Sequence, residues 1–203
     1  MEEKLKNNLK FPELIYNINE WAFKFKYEFY KKLEDFLSSG IIIDYISAKL
    51  IKFNQLALLS TRPPVELNII NGPLFFHDKS YSVDNFSSKK PILWCDAFDD
   101  HKFNELKSKK MDFFGLTAAI SLYAQNKEHI ISISFATQRK DNNINEYYHN
   151  NIEYFSKIAC FVEKIAYPMF CKIFSTKIDK NLFRNKSNYT CDPKIMLIVN
   201  NNI

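Results

Sequence analysis

The chain has 203 residues, 46% of them hydrophobic and 16% aromatic, with 19 Phe, 11 Tyr and only 3 Gly. That composition supports a real core and excludes a disordered or low-complexity chain. The net charge of +5 is mild, and many Lys residues sit beside acids such as Glu34 and Asp35. This describes a solvated surface, without the concentrated basic face that nucleic-acid binding needs.

Residues 1–10 are polar and expected to fray. Pro12 is placed to start a first short helix. Over 19–38 the residues Trp21, Phe25, Phe29, Leu33 and Phe36/Leu37 recur every three to four positions, which predicts an amphipathic helix. Asn19 is its expected N-cap and Gly40 its stop. Two strand-like runs follow, 41–50 and 56–60, joined through 52–55 as a hairpin without a strong turn dipeptide. Pro63 and Pro64 end the second run. Residues 65–71 read as one or two helical turns stopped at Gly72 and Pro73, and 83–88 as another short helix.

After the run PILW (91–94), residues 98–113 read as a surface helix with Phe98, Phe103, Leu106 and Met111 inward. Paired strands are predicted at 116–124 and 129–137. In the second, Ile131, Ile133 and Phe135 alternate with Ser132, Ser134 and Ala136, giving two distinct faces. Asp141, Asn142 and Asn143 are expected to cap a long helix running to about Ile173, with Pro168 expected to kink or end it. Its surplus of Tyr and Phe reads as core packing first and a dimer surface second. Residues 176–203 form a polar tail, ending in the apolar run 195–199. The order predicts an α+β fold: an antiparallel sheet of about five strands with helices on both faces, an α-β-α sandwich over residues 1–175.

Cys95, Cys160, Cys171 and Cys191 lack metal-ligand spacing, and a chain this long needs no disulfide staples, so reduced thiols are expected. His77, His101, His129 and His149 form no helical ligand pair. No Gly-rich phosphate loop is present. These readings predict no metal, no cofactor and no enzyme, although a Cys–His pair meeting in space stays open. No signal core and no bilayer-length apolar run occur, so a cytoplasmic protein off the membrane is expected.

Three segments, PILWCD (91–96), FFGLTAAISL (113–122) and HIISISFAT (129–137), together resemble the autoinducer-binding domain of LuxR-type quorum-sensing regulators. Residues 135–165 further look like a divergent branch of such regulators from intracellular bacteria. The resemblance covers about residues 12–175 and implies a transcription-regulating ligand sensor. Its pocket Trp falls on Trp94 and its strand Ser/Thr on Ser134. The family's lactone- and amide-binding Trp and Tyr fall on Glu66 and Ile70. Its amide-accepting Asp falls on Lys79, with Asp78 one place away, and a family Gly becomes Ala119. Those losses imply a ligand other than the ordinary lactone, since each unreplaced buried contact costs about 1–3 kcal/mol.

The candidate ligand-binding residues are therefore Trp94, Asp78, Ser134, Tyr45 and Tyr81. Each has a plainer reading: Trp94 as core, and Tyr45 and Tyr81 as edge packing with wet hydroxyls. Ser134 qualifies only if its strand face looks toward Trp94's layer. Asp96 reads as a solvated loop carboxylate and Cys95 as a small buried hydrophobe. The expected function is a ligand-sensing module without its own DNA-binding domain. It would take a small apolar or acyl-type ligand and form a homodimer, or a heterodimer with a full-length regulator, with no direct DNA contact. The alternative is a dimerisation domain with a filled pocket and no ligand.

Overall fold

The computed structural model describes residues 11–38, 42–88, 90–125 and 129–175. Residues 1–10, 39–41, 89, 126–128 and 176–203, with Gly40 and Cys191 among them, lie outside the described residues.

The first element is a strand, β1 (Glu13–Leu14), where a helix was expected after Pro12. Glu13 N–H donates to the carbonyl of Asn54 at 2.8 Å, and the segment adds parallel to a sheet edge. An unpaired edge satisfies the backbone better than one isolated helical turn would. Helix α1 (Ile18–Ser38) follows and buries Ile18, Ala22, Phe25, Phe29 and Leu33, the stripe its spacing predicts. It begins just after Asn17, at φ 57°, so Asn19 lies inside the helix and does not cap it.

Strands β2 (Tyr45–Lys52) and β3 (Gln55–Ser60) pair antiparallel. Phe53 and Asn54 between them have φ of 51° and 59°. Two left-handed residues in succession make the tight hairpin turn that matches strand twist. The turn is built without glycine, which explains its weak sequence signal. Helix α2 (Pro63–Ile70) starts on the two prolines. Short helical turns at Pro73–His77 and Lys79–Tyr81 lead to α3 (Val83–Ser88), β4 (Ile92–Leu93) and α4 (Trp94–Ala97).

The single helix expected over 98–113 is instead α5 (Phe103–Lys110) between 3-10 turns at Asp100–Lys102 and Asp112–Phe114. Gly115, at φ 68°, closes the second turn in the left-handed conformation that glycine adopts most readily. Strands β5 (Ala118–Gln125) and β6 (Ile130–Thr137) follow. The long C-terminal helix divides at Asn151 into α6 (Ile144–Asn150) and α7 (Ile152–Ser175). Pro168 stands inside α7, which continues through it. Met169, Phe170, Ile173 and Phe174 are all buried beyond it, and their packing outweighs the lost backbone hydrogen bond.

Among the described residues there are six strands in the order β1-β3-β2-β6-β5-β4, antiparallel throughout except β1–β3. The architecture is α+β, with α1 and α7 on one face and the segment from α2 to α5 on the other. On the α7 side Phe135 meets Phe155, ring centroids 5.5 Å apart, and Phe155 stacks on Tyr148 at 4.7 Å. Phe161 packs on Phe36 at 4.7 Å. The aromatics of α6 and α7 are thus largely taken up by packing.

Phe155→Ala should destabilise the fold by about 3–5 kcal/mol. Urea unfolding would show this as a lower midpoint; a loss under about 1 kcal/mol would contradict the packing described.

Candidate functional site

The two faces of the sheet differ in chemistry because its central strands alternate. On β2, Ile46, Ala48 and Leu50 face one way, while Tyr45, Ser47 and Lys49 face the other. On β6 and β5 the second face carries Ser134 and Ser132, then Ser121 and Tyr123. Strand register aligns these into rows. Ser47, Ser134 and Ser121 make one row, and Lys49, Ser132 and Tyr123 the next. The apolar face meets α7. The polar face is covered by the segment from α2 to α5 and is buried with it.

That cover contributes the groups that meet the rows. Glu66 on α2 is fully buried. One carboxylate oxygen accepts from Tyr45 Oη and Ser47 Oγ, both at 2.8 Å; the other accepts from the Tyr81 hydroxyl. Two ammonium groups flank it, Lys49 Nζ at 3.4 Å and Lys110 Nζ at 3.7 Å. Lys110, at the end of α5, also reaches Asp78 at 2.5 Å and Ser80 Oγ at 3.1 Å. Asp78's other oxygen accepts from Ser80 N–H at 2.9 Å.

Trp94 lies at the centre. Its indole N–H donates to Ser121 Oγ at 3.0 Å, and Ser121 in turn shares a proton with Ser134 at 2.7 Å. Lys110 Nζ sits 4.0 Å from the Trp94 ring centroid, and Lys49 Nζ 4.5 Å from that of Tyr81. Cations over aromatic faces are attracted by the ring quadrupole, more so when desolvated.

Two ammoniums thus stand against two carboxylates, all at 0% exposure. Burial alone would raise the Glu66 pKa. Lys49 and Lys110, with hydrogen bonds from Tyr81 and Ser47, outweigh it and hold the carboxyl at about 2. Burial lowers Lys49 to about 8 against the opposing pull of Glu66. Burial, reinforced by the Glu66 charge, pushes the Tyr45 and Tyr81 hydroxyls well up. Both phenols therefore stay protonated and act as donors.

The five sequence-predicted residues come together here. Trp94, Asp78, Ser134, Tyr45 and Tyr81 are all fully buried around Glu66 and Lys110. Ser134 meets its condition, since its face looks toward Trp94. Tyr45 and Tyr81 do not have wet hydroxyls, because Glu66 accepts from both. Asp78 points inward while Lys79 is exposed. Asp96 is exposed, and Cys95 is half-buried with its thiol pushed up by burial.

Sequence reasoning missed Lys49, Lys110, Ser47 and Ser121, and saw Glu66 only as a lost contact. The signals were present: Lys49 alternates in phase with Tyr45 and Ser47, and Lys110 follows the inward Leu106 by one helical turn. A separate open groove on the surface is lined by Asn19, Phe23, Pro64, Leu67, Asn68, Asn71 and Gly72. None of these residues belongs to the network around Trp94. Among the described residues no group of three or more His, Cys, Asp and Glu could hold a metal ion. No described helix is long and apolar enough to cross a membrane.

No protein-family model matches the chain, and no curated protein matches it. Solved structures similar to it are LuxR-type regulators or their ligand-binding domains. The VqsR LBD domain of Pseudomonas aeruginosa has a TM-score of 0.47 at 11% identity, covering 74% of this chain and 94% of that one. Escherichia coli SdiA gives 0.46 at 14%, covering 81% and 67%, and SdiA has also been solved with octanoyl-rac-glycerol. CepR2 of Burkholderia cenocepacia, an N-acylhomoserine-lactone-dependent LuxR family transcription factor, gives 0.45 at 9%, covering 76% and 98%. The likeness is one of overall α+β layout.

Glu66→Gln leaves two buried ammoniums facing one carboxylate and should cost about 3–5 kcal/mol. In the unaltered chain, the Glu66 pKa is depressed on folding from 4.5 to about 2. Its contribution is therefore complete above 4.5 and lost as pH falls through about 2. Urea midpoints measured across this range should fall with acid in the natural chain and much less in Glu66→Gln. Parallel pH profiles would contradict the assignment.

Proposed function

We propose that the chain is a ligand-sensing regulatory module, a non-catalytic domain that holds a small molecule between the polar sheet face and the Trp94 layer. One observation carries this reading: four ionisable side chains are fully buried around a single Trp. Burying ions is costly, and replacing such groups by apolar residues is often neutral or stabilising. Ionisable groups with perturbed pKa values concentrate where ligands are handled. Trp94 forms one wall, with Ser134, Asp78, Tyr45 and Tyr81 giving polar orientation.

The arrangement suits recognition better than catalysis. Ser121 and Ser134 bond each other and the indole, with no His in the described network to take a proton. His77 pairs instead with Asp99, at 3.4 Å and partly exposed. The ligand favoured is a small amphiphile with an apolar or acyl part and a polar head. Occupancy would tighten the cover onto the sheet and so report the ligand as stability.

A second reading, an interaction domain with a filled chamber, has its own support. Both Glu66 oxygens already accept hydroxyl protons, and α1 exposes Phe23 (52%), Tyr27 (76%) and Tyr30 (40%) along one side. On that reading the exposed stripe pairs with a second copy or with a full-length regulator.

The test is thermal unfolding with acyl-homoserine lactones, acylglycerols and medium-chain acids. A ligand at a hundred times its Kd stabilises by about 2.7 kcal/mol, a rise of roughly 5–10 °C in Tm. At least one probe should produce it, and Trp94→Phe should reduce it. A flat panel together with a concentration-dependent dimer in sedimentation would favour the second reading.

A further inference from the structure

Three buried polar groups of the chamber make no hydrogen bond, and they lie side by side. They are Lys49 Nζ, Ser132 Oγ and Tyr123 Oη. Register sets Lys49 opposite Ser132 and Ser132 opposite Tyr123, one line across β2, β6 and β5. Lys49 and Ser132 are fully buried. Lys49 pairs with Glu66 at 3.4 Å through charge alone, without hydrogen-bond alignment. The Tyr123 hydroxyl lies near Ser121 yet makes no hydrogen bond.

The row holds one obligate donor, the Lys49 ammonium, and two hydroxyls that can donate or accept. The neighbouring row is closed: Ser47 donates to Glu66, and Ser134, Ser121 and Trp94 are linked. Both Glu66 oxygens and both Asp78 oxygens are already engaged. Buried donors left without partners are uncommon and call for an unseen group. The only charged group in the row is an ammonium, so an anion complements it, with both hydroxyls free to rotate and donate.

Building on the ligand-sensing reading above, we propose that the Lys49–Ser132–Tyr123 row is a headgroup subsite for the carboxylate of an amphiphilic acid. One carboxylate oxygen meets the Lys49 ammonium, and the other takes the Ser132 and Tyr123 hydroxyls. Glu66 keeps Lys110 and its three hydroxyls, so it does not depend on Lys49 alone. The cover here is α3, which packs on β5 and β6. Its buried Phe86 ring lies 5.0 Å from that of Tyr123, an apolar neighbour for the first carbons of a tail.

The experiment is calorimetric titration of the full chain with N-octanoylglycine and with its methyl ester. The acid should bind at least about tenfold more tightly than the ester. Ser132→Ala should weaken the acid about fivefold or more while leaving the ester unchanged. The same variant should not lower the Tm of the free protein, because no existing bond is lost. Lys49→Met should bring acid and ester to equal affinity; if it does not fold, Ser132→Ala decides. Equal binding of acid and ester to the natural chain would overturn the carboxylate subsite. So would failure of both probes while a lactone or acylglycerol raises the Tm, which leaves the sensing module standing. Failure of every probe would overturn both.

Discussion

A carboxylate can sit at the centre of a folded domain only if cations come with it, and Glu66 has two. Through its two oxygens it joins β2 (Tyr45, Ser47, Lys49), α5 (Lys110) and the Lys79–Tyr81 turn (Tyr81) to its own helix α2. One side chain thereby fastens the whole segment over the polar face. The layer on the opposite face is held differently, by Phe135, Phe155, Tyr148 and their apolar neighbours. One cover is held mainly by buried charges and the other mainly by aromatic and aliphatic packing.

That asymmetry gives the two faces of the sheet different chemistry. Glu66 does not stand alone on the polar face. It arrives with Lys49, Lys110 and three hydroxyl donors, a self-consistent set that makes the chamber polar. The buried ion network and the packing around Trp94 are thus two aspects of one arrangement.

Much of the fold was legible because periodicity reports it directly. The stripe of α1 and the alternation of β6 both appear where their spacing puts them, and Ser134 faces Trp94. Other features turned on competition between segments far apart in sequence. Pro12 leads into a strand because an edge of β3 was free to pair, and Pro168 is tolerated because buried side chains follow it. Lys49 and Lys110 were hidden for a statistical reason: lysine is almost never fully buried unless paired. Their phase along β2 and α5 was readable, but their partners Glu66 and Asp78 come from other elements. The turn at Phe53 and Asn54 escaped notice for lack of glycine.

The central claim is that a guest occupies the space beside Trp94, and the indole itself can report it. Trp21 is half-buried on α1, stacked on Phe25 with centroids 6.0 Å apart. A Trp21→Phe variant leaves Trp94 as the sole indole, since the chain has two. Titrated with any probe that raises the Tm, Trp94 emission should change and saturate with the same dissociation constant as the thermal shift. A probe that stabilises the protein while Trp94 emission stays constant would place the guest elsewhere and contradict the account.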